Sequence, residues 1–299
     1  MQYDIVIFGN YTKDTIVSPA GTRSADGGGF YYGAHVAAMM GLKTAAVTRL
    51  AREDSRIVEA LTRLGIEVFP TYTPDSTGMH LHYPTTNPDE RVLTVTKTAG
   101  SFTPDQFENL QAKAFLINAS IRGEVGLDVI RELDQKDGWL VADLQGFIRV
   151  VGPHGTVKFE PWPEKAEVLA HVDILKTDAV EAEALTGEKD VKTAARRLAE
   201  LGPKEIVMTH RDGVLVLAEG EFFAAPFLPQ KLVGRTGRGD TCIASYVAKR
   251  LSAPPSVATV WAAALTSLKL EAEGPVKRSQ SEVDDLIRKR YTNAPFSPA

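Results

Sequence analysis

The chain has 299 residues, 43% hydrophobic and 24% charged, with a formal net charge of −4. That size allows a large α/β domain with a real core. The mild acidity argues against a general nucleic-acid or membrane-surface binder, because such partners select basic faces. Cys242 is the single cysteine, which excludes an internal disulfide framework and fits a reducing compartment.

Taken in chain order, the apolar run at residues 5–8 is too short for a signal core and lacks a basic segment before it. No stretch approaches membrane-spanning length, so a cytoplasmic location is expected. Residues 4–8 read as a buried strand. Residues 55–64 set Ile57, Val58, Leu61 and Leu64 on one helical face before Gly65 ends the helix, and 66–69 return to strand. Thr103-Pro104-Asp105 is a helix start, with a capping oxygen, a proline in the first position and an early acid. Segments 115–118, 139–142, 172–175 and 205–209 are further strands, with helices such as 191–201 between them. Val257, Val260, Trp261, Ala264, Leu265 and Leu268 keep the spacing of one amphipathic helix. Ser279 and Glu282 form a capping box opening a last helix, and 292–299 read as a frayed tail.

This alternation predicts an α/β fold with a mostly parallel sheet sandwiched by helices. Two stretches break the rhythm. Residues 11–26 are polar and turn-rich, and residues 71–100 are rich in Thr and Pro, with alternation at 79–83 and 91–96. Alternation points to antiparallel strands exposed on at least one side. The two stretches are expected to form a small β-lid inserted into a single domain over 1–299.

The chemistry concentrates in residues 234–241, Gly-Arg-Thr-Gly-Arg-Gly-Asp-Thr, directly ahead of a helical pattern. Glycine backbone lets successive N–H groups converge on an anion, and the helix adds its positive end. An acid at the rim, Asp240, is placed to take a proton from a hydroxyl attacking a phosphate. The competing reading is a plain loop whose Asp240 caps the helix. The Walker A pattern is absent, and Gly9 stands alone where a dinucleotide fold needs Gly-x-Gly-x-x-Gly. His80 and His82 share a strand face but lack a third ligand nearby for zinc.

The same stretch resembles the second signature of the ribokinase-like (PfkB) carbohydrate kinases, Asp-Thr-x-Gly-Ala-Gly-Asp, and four companions follow in family order. Gly9-Asn10-Tyr11-Thr12-Lys13-Asp14 is similar to the strand-end motif whose Asp binds substrate hydroxyls. Gly27-Gly28-Gly29 through Gly41 is similar to the glycine segment and helix beside the substrate. Residues 176–187 resemble the Asn-x-x-Glu box, with Asp178 at the Asn position. Residues 207–213 resemble the strand and turn bordering the nucleotide.

The resemblance implies a ribokinase-like three-layer kinase. Asp240 is then the base, and Gly237, Arg238 and Gly239 supply the anion hole. Thr12, Asp14, Gly27, Gly28, Tyr32, Gln145 and Arg149 fall on the acceptor side, with Asp143 a further polar residue of that loop. Asp178, Glu181, Thr209, Gly213 and Thr236 fall on the ATP side. Glu181 is expected to hold Mg²⁺ through water, since hard cations prefer oxygen and keep their hydration. The acceptor is a small polyol, sugar or nucleoside, and lid edges suit a homodimer.

The pattern also departs from the family. Gly234 replaces the first Asp of the signature, and Arg235 follows it, which leaves activation by a monovalent cation without its usual carboxylate. Arg238 replaces a small residue. Tyr32 and Thr12 replace ribose-binding positions, and the Tyr31-Tyr32 pair looks like the myo-inositol kinase-like branch. These departures keep open a catalytically weak sensor of nucleotide or polyol, against which the presence of Asp240 speaks.

Overall fold

The computed structural model describes residues 2–85 and 91–291, so the predicted tail and part of the second insertion lie outside the described residues. Strand β1 (Gln2–Phe8) leads into a hairpin, β2 (Thr12–Ser18) and β3 (Gly21–Gly27), and then helix α1 (Gly29–Met39). Next come β4 (Thr44–Ala51), α2 (Arg56–Arg63), β5 (Glu67–Thr73), β6 (Thr77–His82) and β7 (Val92–Lys97). The middle of the chain holds β8 (Gln111–Ile117), α3 (Leu127–Asp134), β9 (Trp139–Asp143) and the single turn α4 (Gln145–Ile148). A short hairpin, β10 (Arg149–Val151) and β11 (Val157–Phe159), precedes α5 (Lys165–Leu169) and β12 (Ile174–Asp178). Then follow α6 (Ala179–Thr186), α7 (Val191–Ala199), β13 (Glu205–Thr209), β14 (Gly213–Ala218) and β15 (Glu221–Pro226). The C-terminal layer is α8 (Arg238–Arg250), α9 (Pro255–Leu270) and α10 (Gln280–Arg290).

Nine strands form the main sheet in the order β15-β14-β13-β12-β9-β8-β1-β4-β5. It is parallel except where β14 and β15 close one edge as an antiparallel pair. Period-two alternation decides which side chain meets which layer. In β1, Ile5 and Ile7 join the core with α1, α8 and α9, while Val6 and Phe8 join that with α3 and α7. The predicted three-layer α/β fold is what forms. From β1, third from one edge, the chain winds outward in both directions, to β4 and β5 on one side and to β8, β9 and β12 on the other. Such a reversal opens a crevice at the carboxyl ends of the strands, where ligands bind.

A second sheet, β3-β2-β6-β7, covers that crevice. Its outer pairs are antiparallel as expected, but β2 and β6 run parallel. They leave the same end of two parallel strands, β1 and β5, and so enter the small sheet in one direction. Met79 and Leu81 pack inward with Ile16 and Val95, whereas His80 and His82 are exposed on the outer face.

Other expectations shift locally. Thr103 does build a capping box with Gln106, but it opens only one 3₁₀ turn, Pro104–Gln106. Phe107 then anchors against Phe8, with ring centroids 4.6 Å apart, and the chain turns into β8. Leu64 is the C-cap of α2 and is exposed, not part of its buried face. Helix α9 is buried almost all round, because α8, α10 and the β14–β15 edge enclose it. Among the described residues, no helix is long and apolar enough to cross a membrane.

Candidate active site

A cavity of about 600 Å³ lies between the carboxyl ends of the parallel strands and the small sheet. Thr12 and Asp14 enter it from β2, and Gly28, Gly29 and Tyr32 from the start of α1. Gln145 and Arg149 follow β9, Lys176 and Asp178 end β12, and Thr209 ends β13. Residues 235–240 close the far wall. Two assigned glycines stand outside the lining. Gly213 lies in the β14–β15 ladder, where an added Cβ would come within 2.4 Å of the Ala225 carbonyl. Gly27 backs the acceptor pair, since a Cβ there would lie 2.5 Å from Thr12 Oγ1 and 2.6 Å from Asp14 Oδ2.

The turn before α8 is shaped by its glycines. Gly237 is the N-cap at φ 79°, and a Cβ on it would lie 2.2 Å from the Tyr32 ring. Only glycine meets both demands. The Arg238 amide donates to Arg235 O at 3.1 Å and that of Thr241 to Gly237 O at 2.9 Å. The amides of Gly237 and Gly239 take part in neither bond, so of the three predicted anion-hole donors Arg238 is the one already committed to the turn. The Arg238 guanidinium stands 5.9 Å from the Phe227 ring centre at the cavity wall.

Asp240 sits in the first turn of α8 and faces Gly29, whose added Cβ would meet Asp240 Oδ1 at 2.6 Å. Burial pushes the Asp240 carboxyl above its usual range, and Lys176 and Arg149 pull the other way. Asp14 accepts from Thr12 Oγ1 at 2.7 Å, and burial raises its carboxyl to about 6. Both acids therefore hold protons more tightly than exposed carboxylates do.

Lys176 was not singled out by the motif reading. Its ammonium lies beneath the turn, 2.7 Å from where a Gly239 Cβ would be, and 3.1 Å from Asp143 Oδ2. Burial opposes that charge, yet Asp143 and Glu181 raise the Lys176 pKa on balance. A lysine inside the apolar run Ile174-Leu175-Lys176 was the available signal, because a buried ammonium needs a partner or a ligand. Asp143 itself is fully buried against Lys176 instead of facing an acceptor, and burial lifts its carboxyl to about 7. Asn118, at the end of β8, was also missed; it is fully buried, and its amide has no hydrogen-bond partner on either atom.

Glu181, the residue expected to hold magnesium through water, is tied into a buried polar network. Its Oε1 accepts from Arg149 at 2.9 Å, and its Oε2 accepts from the Asp178 amide at 3.0 Å. Asp178 in turn caps α6 by accepting from the Glu181 amide. The Glu181 side chain is 1% exposed. Burial alone would raise its carboxyl, but Lys176 and Arg149 hold it below the usual range. Each oxygen has one hydrogen-bond partner and a second lone pair, through which a hydrated cation would be held by way of water. Among the described residues, no group of three or more His, Cys, Asp or Glu is arranged to hold a metal.

Around the cavity, Arg91, Arg149, Lys176, Arg211, Arg235 and Arg238 outnumber Asp14, Asp178 and Asp240. Two of these cations are paired from behind, Arg149 with Glu181 and Lys176 with Asp143, and the basic side chains that face the cavity suit an anionic ligand.

The chain matches the pfkB family carbohydrate kinases over residues 27–280. A cytidine kinase of Thermococcus kodakarensis is 28% identical over 267 residues, which span 82% of this chain and 87% of that protein. A solved pyrophosphate-dependent kinase of the ribokinase family, complexed with a pyrophosphate analogue and myo-inositol, is 33% identical with a TM-score of 0.87. That match covers 94% of this chain and 99% of the other. Arabidopsis thaliana ribokinase, complexed with ribose and ATP, is 18% identical with a TM-score of 0.76 over 96% of this chain and 99% of that one, a likeness of fold.

Proposed function

The chain belongs to the pfkB family of carbohydrate kinases, and from that premise we propose that Asp240 is the base in a phosphoryl transfer to a small polyol. The enzyme is a ribokinase-type kinase whose acceptor class is sugar, cyclitol or nucleoside. One observation carries the assignment of the base. Asp240 lines the cavity from the helix turn that also offers the Gly237 and Gly239 amides, with the Lys176 ammonium beneath.

In this reading the acceptor lies on Asp14 and Thr12, under the apolar wall of Met79, Leu81 and Leu93. Asp240 takes the hydroxyl proton as the acceptor oxygen attacks the terminal phosphorus. A new P–O bond forms, and the bridging P–O bond breaks with its electron pair on the departing phosphate. Gly237 and Gly239 amides, Lys176 and Arg149 stabilise the charge on the transferring group, where preorganised donors act most strongly. The small sheet is the lid that keeps water out, and its β3 edge offers the pairing surface for a homodimer. The cytoplasm is the compartment we assign.

ATP with magnesium is the general donor pair of the family. A second donor, inorganic pyrophosphate, is favoured by the cations Arg149, Lys176, Arg211, Arg235 and Arg238 around the donor end. Such a donor needs charge on all sides and no base cleft, and the 33%-identical kinase depends on it. Incubating the protein with ATP or pyrophosphate across cyclitols, pentoses, hexoses and nucleosides tests the reading. Formation of a phosphomonoester on one acceptor is expected. No phosphorylated product from either donor would overturn it.

A further inference from the structure

Lys269, in the last turn of α9, is 2% exposed and has no part in the chemistry above. Its ammonium donates to the Gly234 carbonyl at 2.9 Å and stands 5.7 Å from the centre of the Tyr32 ring. The adjacent backbone completes a clamp, because Leu270 O accepts from the amides of Val233 at 2.8 Å and Gly234 at 3.2 Å. Gly234 is seated so closely on the end of α9 that an added Cβ would lie 2.6 Å from Ala272 O. On the opposite side Tyr32 packs on Gly237. One buried cation therefore touches the start of the anion-binding turn and the ring that supports its middle.

We propose that Lys269 is a positioning residue: its ammonium, held between the Gly234 carbonyl and the Tyr32 ring, fixes the 234–240 turn in the geometry that phosphoryl transfer needs. A carbonyl oxygen and an aromatic face are both cation ligands. The position at the C-terminal end of α9 adds the negative pole of the helix. The charged and titratable groups facing Lys269 are Glu273 just after α9, Asp240 on α8, Arg23 on β3 and Tyr32 on α1. Burial depresses Lys269 to about 8, with Glu273 and Asp240 opposing the fall and Arg23 adding to it. The clamp is charged below that pH and loses its charge above it.

The inference rests on the kinase reading of the turn, and the test separates the two. Turnover is followed from pH 6.5 to 10 in the wild type, in Lys269→Met and in Lys269→Ala with and without added ethylammonium. Lys269→Met is expected to lower kcat about 10- to 100-fold through misplacement of the turn, with acceptor KM within about twofold. Its thermal midpoint should hold, because an apolar residue replaces a buried charge. Wild-type kcat should fall as pH rises through about 8, Lys269→Met should be flat there, and ethylammonium should restore part of the Lys269→Ala rate. Wild-type kcat in Lys269→Met, with the same alkaline limb, overturns the proposal and leaves the kinase reading standing. Should Lys269→Met not fold, the Lys269→Ala variant decides, a rate that ethylammonium does not raise being the contrary result. Absence of wild-type turnover with either donor removes the kinase reading and this inference together.

Discussion

Lys176 has two jobs that mutation can separate. It neutralises the fully buried Asp143 and sits under the Gly239 backbone. Lys176→Met strands Asp143 and should cost about 3–5 kcal/mol of stability, as breaking a buried pair does. The double change Lys176→Met with Asp143→Leu should recover most of that in denaturant unfolding while leaving turnover lost. Asp14 gives a second test. Its carboxyl, raised to about 6 by burial, accepts acceptor hydroxyls most strongly when ionised. Calorimetric affinity for the acceptor, without donor, should weaken as pH falls through about 6, and Asp14→Asn should be weak and flat across that range. At this scale much of the site was legible: Asp240, Gly237 and the Thr12–Asp14 pair sit at the cavity or against it. What was not legible depended on distant partners. Arg149 occupies Glu181 from 32 positions away in the sequence, and only the folded chain brings them together.

Helix α8 owes its start to one backbone angle. Gly237 at φ 79° against Tyr32 predicts that Gly237→Ala destabilises by about 1–3 kcal/mol and reduces turnover. Adding Tyr32→Ala should relieve the steric share but not the dihedral share, so a double-mutant cycle by denaturant unfolding should show partial recovery. Element type was readable wherever period and punctuation agreed, as in β13, whose bounds match the expectation at 205–209. The β10–β11 hairpin is not legible in the sequence, because three-residue strands are too short to show alternation. The parallel β2–β6 pairing is not legible for another reason: pairing direction follows from where strands leave the main sheet, not from their own residues.

For the molecule as a whole, the sequence predicted layers and a mostly parallel sheet, but not the strand order that puts the crevice beside β1. That order gathers Asp14, Lys176, Thr209 and Asp240 from four separate parts of the chain. Gathering charge inside a fold leaves a mark on its stability. Glu124 is buried, and burial raises it to about 7, while the Ser120 amide donating to Oε2 at 2.7 Å opposes the rise. A raised carboxyl binds its proton more tightly folded than unfolded, so its stabilising share is full below the unfolded value, near 4, and is lost as pH rises through about 7. Glu124→Gln should therefore match the wild type in thermal midpoint near pH 5 and exceed it by about 2 °C or more at pH 8. The central claim is the role of Asp240, and transfer of labelled terminal phosphate to the acceptor by wild type and Asp240→Asn tests it most directly. The account predicts a rate about 10²- to 10⁴-fold lower in the variant, with donor affinity within about twofold because the turn that holds the anion is intact. An Asp240→Asn variant that transfers phosphate at the wild-type rate would contradict it.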